Sequence, residues 1–273
     1  MEVGLVLSGG GARGFAHIGV LRALAERKIE PVAIAGCSMG GIIGALAANG
    51  LTAEEIHRRF KEMNWKKIFD WAKMGSLVGG RGIGSVLAEN LPRTFAELKI
   101  PLRVTAVDVQ EGRVITLWEG DLVPALRATS AIPGIFSPVE LNGRMLVDGG
   151  LLDNVPVGEI RSMTHAPIVA VDVTVPPDRK LVFHDTRPVW KRLNAPFREG
   201  RRPLMIELLT KAYDIPVAAL TEIRIAALRP EILIRPKLGP GMNVESFKRM
   251  DEAVEKGYQE AISVLDLYSP RGS

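Results

Sequence analysis

The sequence predicts an α/β sandwich built on a mostly parallel sheet, with one local antiparallel hairpin. Three observations carry this reading. Short apolar runs alternate with stretches of helical spacing along the chain. Two of the runs end in glycine clusters that lead straight into helices, Gly9-Gly10-Gly11 and Gly36-Cys37-Ser38-Met39-Gly40-Gly41. The pair Asn142-Gly143, flanked by two short apolar runs, is a strong hairpin signal.

The elements follow in order. Val3 to Leu7 reads as a buried strand that ends in glycines. Phe15 to Lys28 has helical spacing (Ile18, Leu21, Leu24, Ala25) and basic residues at its end. Pro31 opens a second strand, Val32 to Ala35, and Ile42 to Ala48 is a buried helix closed by Asn49-Gly50. Thr52 caps the next helix, with Glu54 and Glu55 in its first turn. Leu102 to Val109 and Val114 to Trp118 are strands either side of Glu111-Gly112. Leu122 to Thr129 is a short helix stopping before Pro133, and Val139 to Leu141 and Met145 to Val147 form the hairpin. Ile168 to Val173 is a further buried strand. Leu204 to Leu228 is mostly helical, with a break expected at Pro216. Ile232 to Ile234 is a last strand and Val244 to Leu265 a last helix.

A chain of 273 residues with 47% hydrophobic residues supports one sizeable core. The expected organisation is a single domain over residues 1–273. Its chemistry-bearing motifs fall within 1–175, a basic, proline-rich excursion covers 176–203, and a C-terminal helical part covers 204–273. The lone cysteine, Cys37, excludes an internal disulfide and suits a reducing compartment. Met1-Glu2-Val3-Gly4 runs directly into a strand, so no signal peptide is expected, and no apolar run reaches 18 residues. A net charge of +4 is compatible with an anionic membrane surface and too mild to indicate nucleic-acid binding.

The sharpest chemical signal is Gly36-Cys37-Ser38-Met39-Gly40-Gly41. A serine between small residues, after a strand and before a helix, is the setting of a nucleophile elbow. The hydroxyl would stand clear of the sheet at a helix N-terminus, where free N–H groups favour negative charge. The plainer alternative is a glycine-rich turn with a capping serine. The second signal is Ser8-Gly9-Gly10-Gly11-Ala12-Arg13-Gly14. Its glycines fit a dinucleotide fingerprint, but the next strand ends in Gly36-Cys37-Ser38 where an acidic residue is required. No Gly-Lys-Ser/Thr follows, which excludes a phosphate-binding P-loop. An oxyanion hole beside Ser38, built from Gly10, Gly11 and neighbouring amides, suits the pair of loops better, with Arg13 either anchoring its loop or facing a substrate phosphate.

A nucleophilic serine needs a base. The four histidines are poor candidates: His17 lies on the helix after the glycine loop, His57 on a polar helix face, His165 before a strand and His184 in the basic excursion. Attention passes to acids at strand ends. Asp148 follows Met145-Leu146-Val147 and precedes Gly149-Gly150; Asp108 and Asp172 are fallbacks, and Asp153 and Asn154 read as loop or cap residues.

Together these motifs resemble the patatin-like phospholipase family, especially its short bacterial members. The resemblance rests on Gly9-Gly10-Gly11-Ala12-Arg13-Gly14, Gly36-Cys37-Ser38-Met39-Gly40, Asp148-Gly149-Gly150, and the run from Ala128 to Pro138. It implies a three-layer sandwich, patatin or lysophospholipase-like, with a mostly parallel central sheet and helices on both faces. It implies Ser38 as nucleophile, Asp148 as base and no catalytic histidine. An oxyanion hole would come from Gly9, Gly10, Gly11, Ala12, Arg13, Gly14 and Met39, with Gly36, Gly40, Gly149 and Gly150 supporting the turns. One departure is Gly150, where many members have alanine. Substrates would be acyl esters of phospholipids, lysophospholipids or neutral glycerides, with no cofactor and no metal. The alternatives are an acyltransferase using the same dyad, or a non-catalytic lipid- or nucleotide-binding regulator. The glycine-rich stretch Met74 to Gly84 is either an entrance flap or a plain loop. Basic and aromatic residues between Arg179 and Arg202 suit either an anionic headgroup layer or a solvated surface loop. A cytoplasmic protein, peripheral at the inner face of the membrane and binding no nucleic acid, is the expectation; its oligomeric state is not legible.

Overall fold

The computed structural model describes residues 1–63, 81–174, 204–239, 242 and 246–268. The entrance flap expected at Met74 to Gly84 falls largely outside these residues, and the basic stretch Arg179 to Arg202 wholly outside.

Among the described residues, eight strands form one sheet: β1 (Glu2–Leu7), β2 (Glu30–Cys37), β3 (Leu102–Asp108), β4 (Arg113–Leu117), β5 (Val139–Leu141), β6 (Arg144–Asp148), β7 (Ile168–Val171) and β8 (Ile232–Ile234). The order is β5-β6-β3-β2-β1-β7-β8, with β4 also on β3. The pairings from β3 through β2, β1 and β7 to β8 are parallel; β4, β5 and β6 pair antiparallel. Eight helices surround it among the described residues: α1 (Ala16–Glu26), α2 (Met39–Ala48), α3 (Ala53–Glu62), α4 (Arg81–Asn90), α5 (Leu122–Thr129), α6 (Val157–Arg161), α7 (Leu204–Leu228) and α8 (Met250–Tyr268).

Side-chain alternation explains the three layers. Successive residues of a strand point to opposite faces. Val3, Leu5 and Leu7 of β1 join the large core with α1, α2, α5 and α8, while Val6 faces a second core with Val157 and Ile160 of α6 and Ile225 of α7. Helices α1 and α8 meet backbone to backbone: a Cβ at Gly19 would fall on the Val254 carbonyl, and one at Gly257 on that of Ala16.

The register of β3 positions the site. Val104 and Thr105 pair with both β4 and β2; Ala106 to Asp108 pair with both β4 and β6. Strands β2 and β6 therefore share one edge of β3 and meet end to end. Cys37 stands opposite Thr105, and Asp148 opposite the next residue, Ala106. The two strand tips, far apart in sequence, are brought together by backbone pairing alone.

Some boundaries differ from expectation. A 3-10 turn, Gly11–Phe15, precedes α1, and another, Phe247–Arg249, precedes α8. The break expected at Pro216 does not occur, because α7 continues through it. Proline removes only its own N–H from the ladder, and Val217, Ala218, Thr221 and Ile225 beyond it are buried; packing on the sheet outweighs the missing bond. No described helix is long and apolar enough to cross a membrane.

Candidate active site

Ser38 occupies the turn between β2 and α2 with φ 51° and ψ −125°, a backbone state rare for any residue but glycine. Such strain costs about 1–3 kcal/mol and persists where the surroundings enforce it. They do so here. The Ser38 N–H donates to Thr129 Oγ1 (2.9 Å), whose hydroxyl donates to the Thr105 carbonyl (2.6 Å). Gly36 packs against the backbone of Gly40 and Gly41, and a Cβ at Gly40 would strike the carbonyls of Leu7 and Ser8. Although Ser38 precedes α2, its side chain makes no capping bond. That removes the plainer reading of the serine as a cap.

Asp148 ends β6 and is buried. Its Oδ1 accepts from the Gly150 N–H (2.8 Å), from the Tyr213 hydroxyl (2.9 Å) and weakly from Cys37 Sγ (3.6 Å). Its Oδ2 is buried and has no partner of full hydrogen-bond geometry. Burial pushes the carboxyl above its ordinary range; hydrogen bonds from Gly150, Ser38, Tyr213 and Cys37 pull it back. The Ser38 side chain thus faces the carboxyl without a fully formed hydrogen bond, a looseness common in unliganded sites. The glycine of the third motif is required too, since a Cβ at Gly149 would meet the Thr105 carbonyl.

The glycine loop lies against both. A Cβ at Gly9 would come 3.1 Å from Ser38 Cβ. The Gly9 N–H is spent on Asn154, at Oδ1 (3.1 Å) and the carbonyl (3.3 Å), and the Arg13 N–H on the Gly10 carbonyl (3.2 Å). Among the described residues, the amides of Gly10, Gly11 and Met39 have no intramolecular acceptor. Gly9, Ala12, Arg13 and Gly14 shape the loop and pack it, Gly14 against the Met39 side chain. A cleft is lined by Gly9, Gly10, Arg13, Ser38, Asp148 and Tyr213, with Ile132, Asn154, Asp214 and Val217 around it.

The fallback acids are engaged elsewhere. Asp108 Oδ2 pairs with Arg144 (2.9 Å), and Asp172 Oδ2 with Arg235 (3.1 Å). His17 Nε2 bonds the Ser8 carbonyl (2.8 Å) and braces the glycine loop. His57 pairs with Asp251, and His165 is exposed; His184 lies outside the described residues. No cluster of three or more His, Cys, Asp or Glu is placed to hold a metal among the described residues.

Three contributors escaped sequence reasoning. Asn154, read there as a loop or cap residue, ties the third motif to the glycine loop. Thr129 holds the elbow, and Tyr213 reaches Asp148 from a helix more than sixty residues away.

A family model described as patatin-like phospholipase matches residues 5–160, which includes Ser38, Asp148 and the glycine loop. The chain belongs to the patatin-like phospholipase family. Within this family, an uncharacterized NTE family protein of Mycobacterium tuberculosis is 36% identical over 176 residues, covering 63% of this chain and 49% of that protein. The lysophospholipase NTE1 of Candida albicans is 30% identical over 291 residues, covering 99% of this chain and 20% of that protein. The chain therefore spans about half the length of the mycobacterial relative and a fifth of the fungal one. The crystal structure of VipD from Legionella pneumophila aligns with a TM-score of 0.57 at 16% identity, covering 97% of this chain and 67% of that one, a likeness of fold. The mixed sheet with helices on both faces is thus the patatin-like fold.

Proposed function

We propose that this patatin-like chain is a serine acyl hydrolase. It cleaves carboxylic ester bonds of phospholipids, lysophospholipids or other acylglycerols through Ser38, Asp148 and an acyl-enzyme. The observation that carries this is a strained, uncapped serine set beside a buried carboxylate whose second oxygen is unpaired. The family match and the printed name of the fungal relative, a lysophospholipase, support the substrate class.

In the first half-reaction Asp148 Oδ2 takes the Ser38 hydroxyl proton as Oγ attacks the ester carbonyl. The oxyanion forms against the amides of Gly10, Gly11 and Met39, the last in the first turn of α2, where the helix dipole adds to the field. One such donor contributes roughly 3–4 kcal/mol of transition-state stabilisation. The tetrahedral species collapses, the alcohol leaves with the proton from Asp148, and Ser38 carries the acyl group. Water, deprotonated by Asp148, then releases the fatty acid and restores both residues. An ordinary aspartate, with a pKa of about 3.9, is a weak base toward a hydroxyl. Burial raises Asp148 above that range, which is the direction catalysis needs. Peripheral contact with a membrane through the stretch Arg179 to Arg202 is a proposal resting on its sequence alone.

Hydrolysis of p-nitrophenyl butyrate tests this reading. Wild type is expected to be active, Ser38→Ala to fall to background, and Asp172→Asn, whose carboxylate serves Arg235, to keep its activity. Undiminished turnover by Ser38→Ala would overturn the assignment.

A further inference from the structure

The family match ends at residue 160, yet one group bonded to Asp148 comes from beyond it. Tyr213 projects from α7, and its hydroxyl donates to Asp148 Oδ1 at 2.9 Å. Helix α7 grips the same loop a second time: Arg224 Nε donates to the Leu152 carbonyl (2.8 Å), and its guanidinium pairs with Asp153 (3.2 Å). The loop that carries the base is thus held at both ends by one helix.

Gly150 makes the contact possible. A Cβ on residue 150 would land on the Tyr213 hydroxyl oxygen and 3.0 Å from Asp148 Oδ1. The glycine and the tyrosine are therefore coupled: the absent methyl opens the space that the phenol fills.

From this geometry we infer that Tyr213 is a positioning residue of the dyad, and that Gly150 exists in this chain to admit it. The phenol and the Gly150 amide together occupy Oδ1, fixing the carboxylate rotamer and leaving Oδ2 for the Ser38 proton. An O–H donated to a carboxylate also favours its ionised form. Tyr213 thereby opposes the burial that raises Asp148, and keeps a desolvated base charged. The inference rests on the hydrolase reading above for its catalytic consequence, but not for the contact itself.

Several titratable groups face this carboxylate. Cys37 on β2 and Tyr213 on α7 are both pushed well above their ordinary values, chiefly by burial, and stay neutral. Arg13 from the glycine loop and Asp214 from α7 line the cleft, and Asp153, raised by burial to about 6, follows on the loop. Because burial raises Asp153 as well as Asp148, the readout must resolve individual carboxyls.

The test compares Tyr213→Phe, Gly150→Ala and the double variant. Each is followed by carbon-13 carboxyl titration of Asp148 and by the pH profile of kcat and KM for p-nitrophenyl butyrate. Tyr213→Phe is expected to raise the Asp148 titration and move the acid limb of kcat/KM upward with it. It should lower kcat roughly tenfold, the scale of a lost hydrogen bond to a charged group, and leave KM nearly unchanged. Gly150→Ala should reproduce this by displacing the phenol, and the double variant should be no worse than either single one. An Asp148 titration unmoved by Tyr213→Phe, with only the melting temperature lowered, would overturn the proposal as a merely structural contact. So would strictly additive losses in the double variant. If the wild type itself does not hydrolyse the ester, the hydrolase reading fails, and the carboxyl titration still decides the role of Tyr213.

Discussion

Asp148→Asn is expected to lower kcat/KM for ester hydrolysis by roughly 10³- to 10⁴-fold while raising the melting temperature. The loss follows from removing the proposed base; general-base catalysis supplies rate factors of about this size. The gain follows from burial. A carboxyl whose folded pKa lies above its unfolded value binds its proton more tightly in the native state. Its ionisation therefore opposes folding above the folded pKa, and this penalty vanishes as pH falls below the unfolded value. Asparagine is neutral throughout. Its carbonyl oxygen can still accept from Gly150 and Tyr213, so the substitution removes the buried charge and keeps the hydrogen bonds. At neutral pH a rise of about 2–4 °C per kcal/mol recovered is expected for a chain of this size. Kinetics paired with thermal unfolding check both halves. An Asn variant that is both active and less stable would contradict the assignment of Asp148 as a desolvated base.

Acid should destabilise the fold through His17. Burial lowers its pKa to about 4, against a partial counter-effect from its bond to the Ser8 carbonyl. The folded chain thus keeps it neutral where the unfolded chain, with a value of about 6.5, binds a proton. Stability associated with the neutral ring is complete above pH 6.5 and is lost as pH falls toward 4, with an upper size of about 3 kcal/mol. Asp153 acts in the opposite sense. Burial raises it to about 6, so between roughly pH 3.8 and 6 acid adds stability through that carboxyl. Asp148 and Asp214, also raised by burial, act in the same sense as Asp153, while carboxyls held low by hydrogen bonds and ion pairs, Asp108 among them, act with His17, so the wild-type slope sums all of these. His17→Gln cannot titrate and isolates the first: urea unfolding at pH 7 and pH 4.5 should show the wild type losing about 2–3 kcal/mol more than the variant. Equal losses would mean that His17 is hydrated or already charged in the fold. Since His17 braces the loop bearing Gly10 and Gly11, acid should also impair the proposed oxyanion hole before global unfolding.

The parts of this architecture that were legible in the sequence are those with local signatures. A strand that ends in Gly36-Cys37-Ser38-Met39-Gly40 must turn tightly, and the turn's sterics select its residues. The same holds for Gly9 to Gly14 and for Asp148-Gly149-Gly150. Asn142-Gly143 announced its hairpin for a similar reason: both residues carry positive φ, as the turn demands. What brings the three turns together, by contrast, is the pairing of β1 with β2 and the end-to-end placement of β2 and β6 along β3. No local pattern encodes those pairings; the family resemblance implied only that Ser38 and Asp148 act together. Thr129, Asn154 and Tyr213 were missed because each acts through one long-range hydrogen bond. A polar residue in a helix or loop has no spacing that distinguishes such a partner from solvent. Pro216 misled for a related reason: its local penalty is real, but burial of the residues beyond it outweighs it.

The central claim is that Ser38 forms the acyl-enzyme. Reaction of the full chain with a fluorophosphonate, followed by peptide mapping in a mass spectrometer, reads this directly. The expected result is one phosphonyl adduct, on Ser38, formed in step with loss of esterase activity and much more slowly in Asp148→Asn. Loss of activity with the adduct on another residue, or full activity with Ser38 completely modified, would contradict the account.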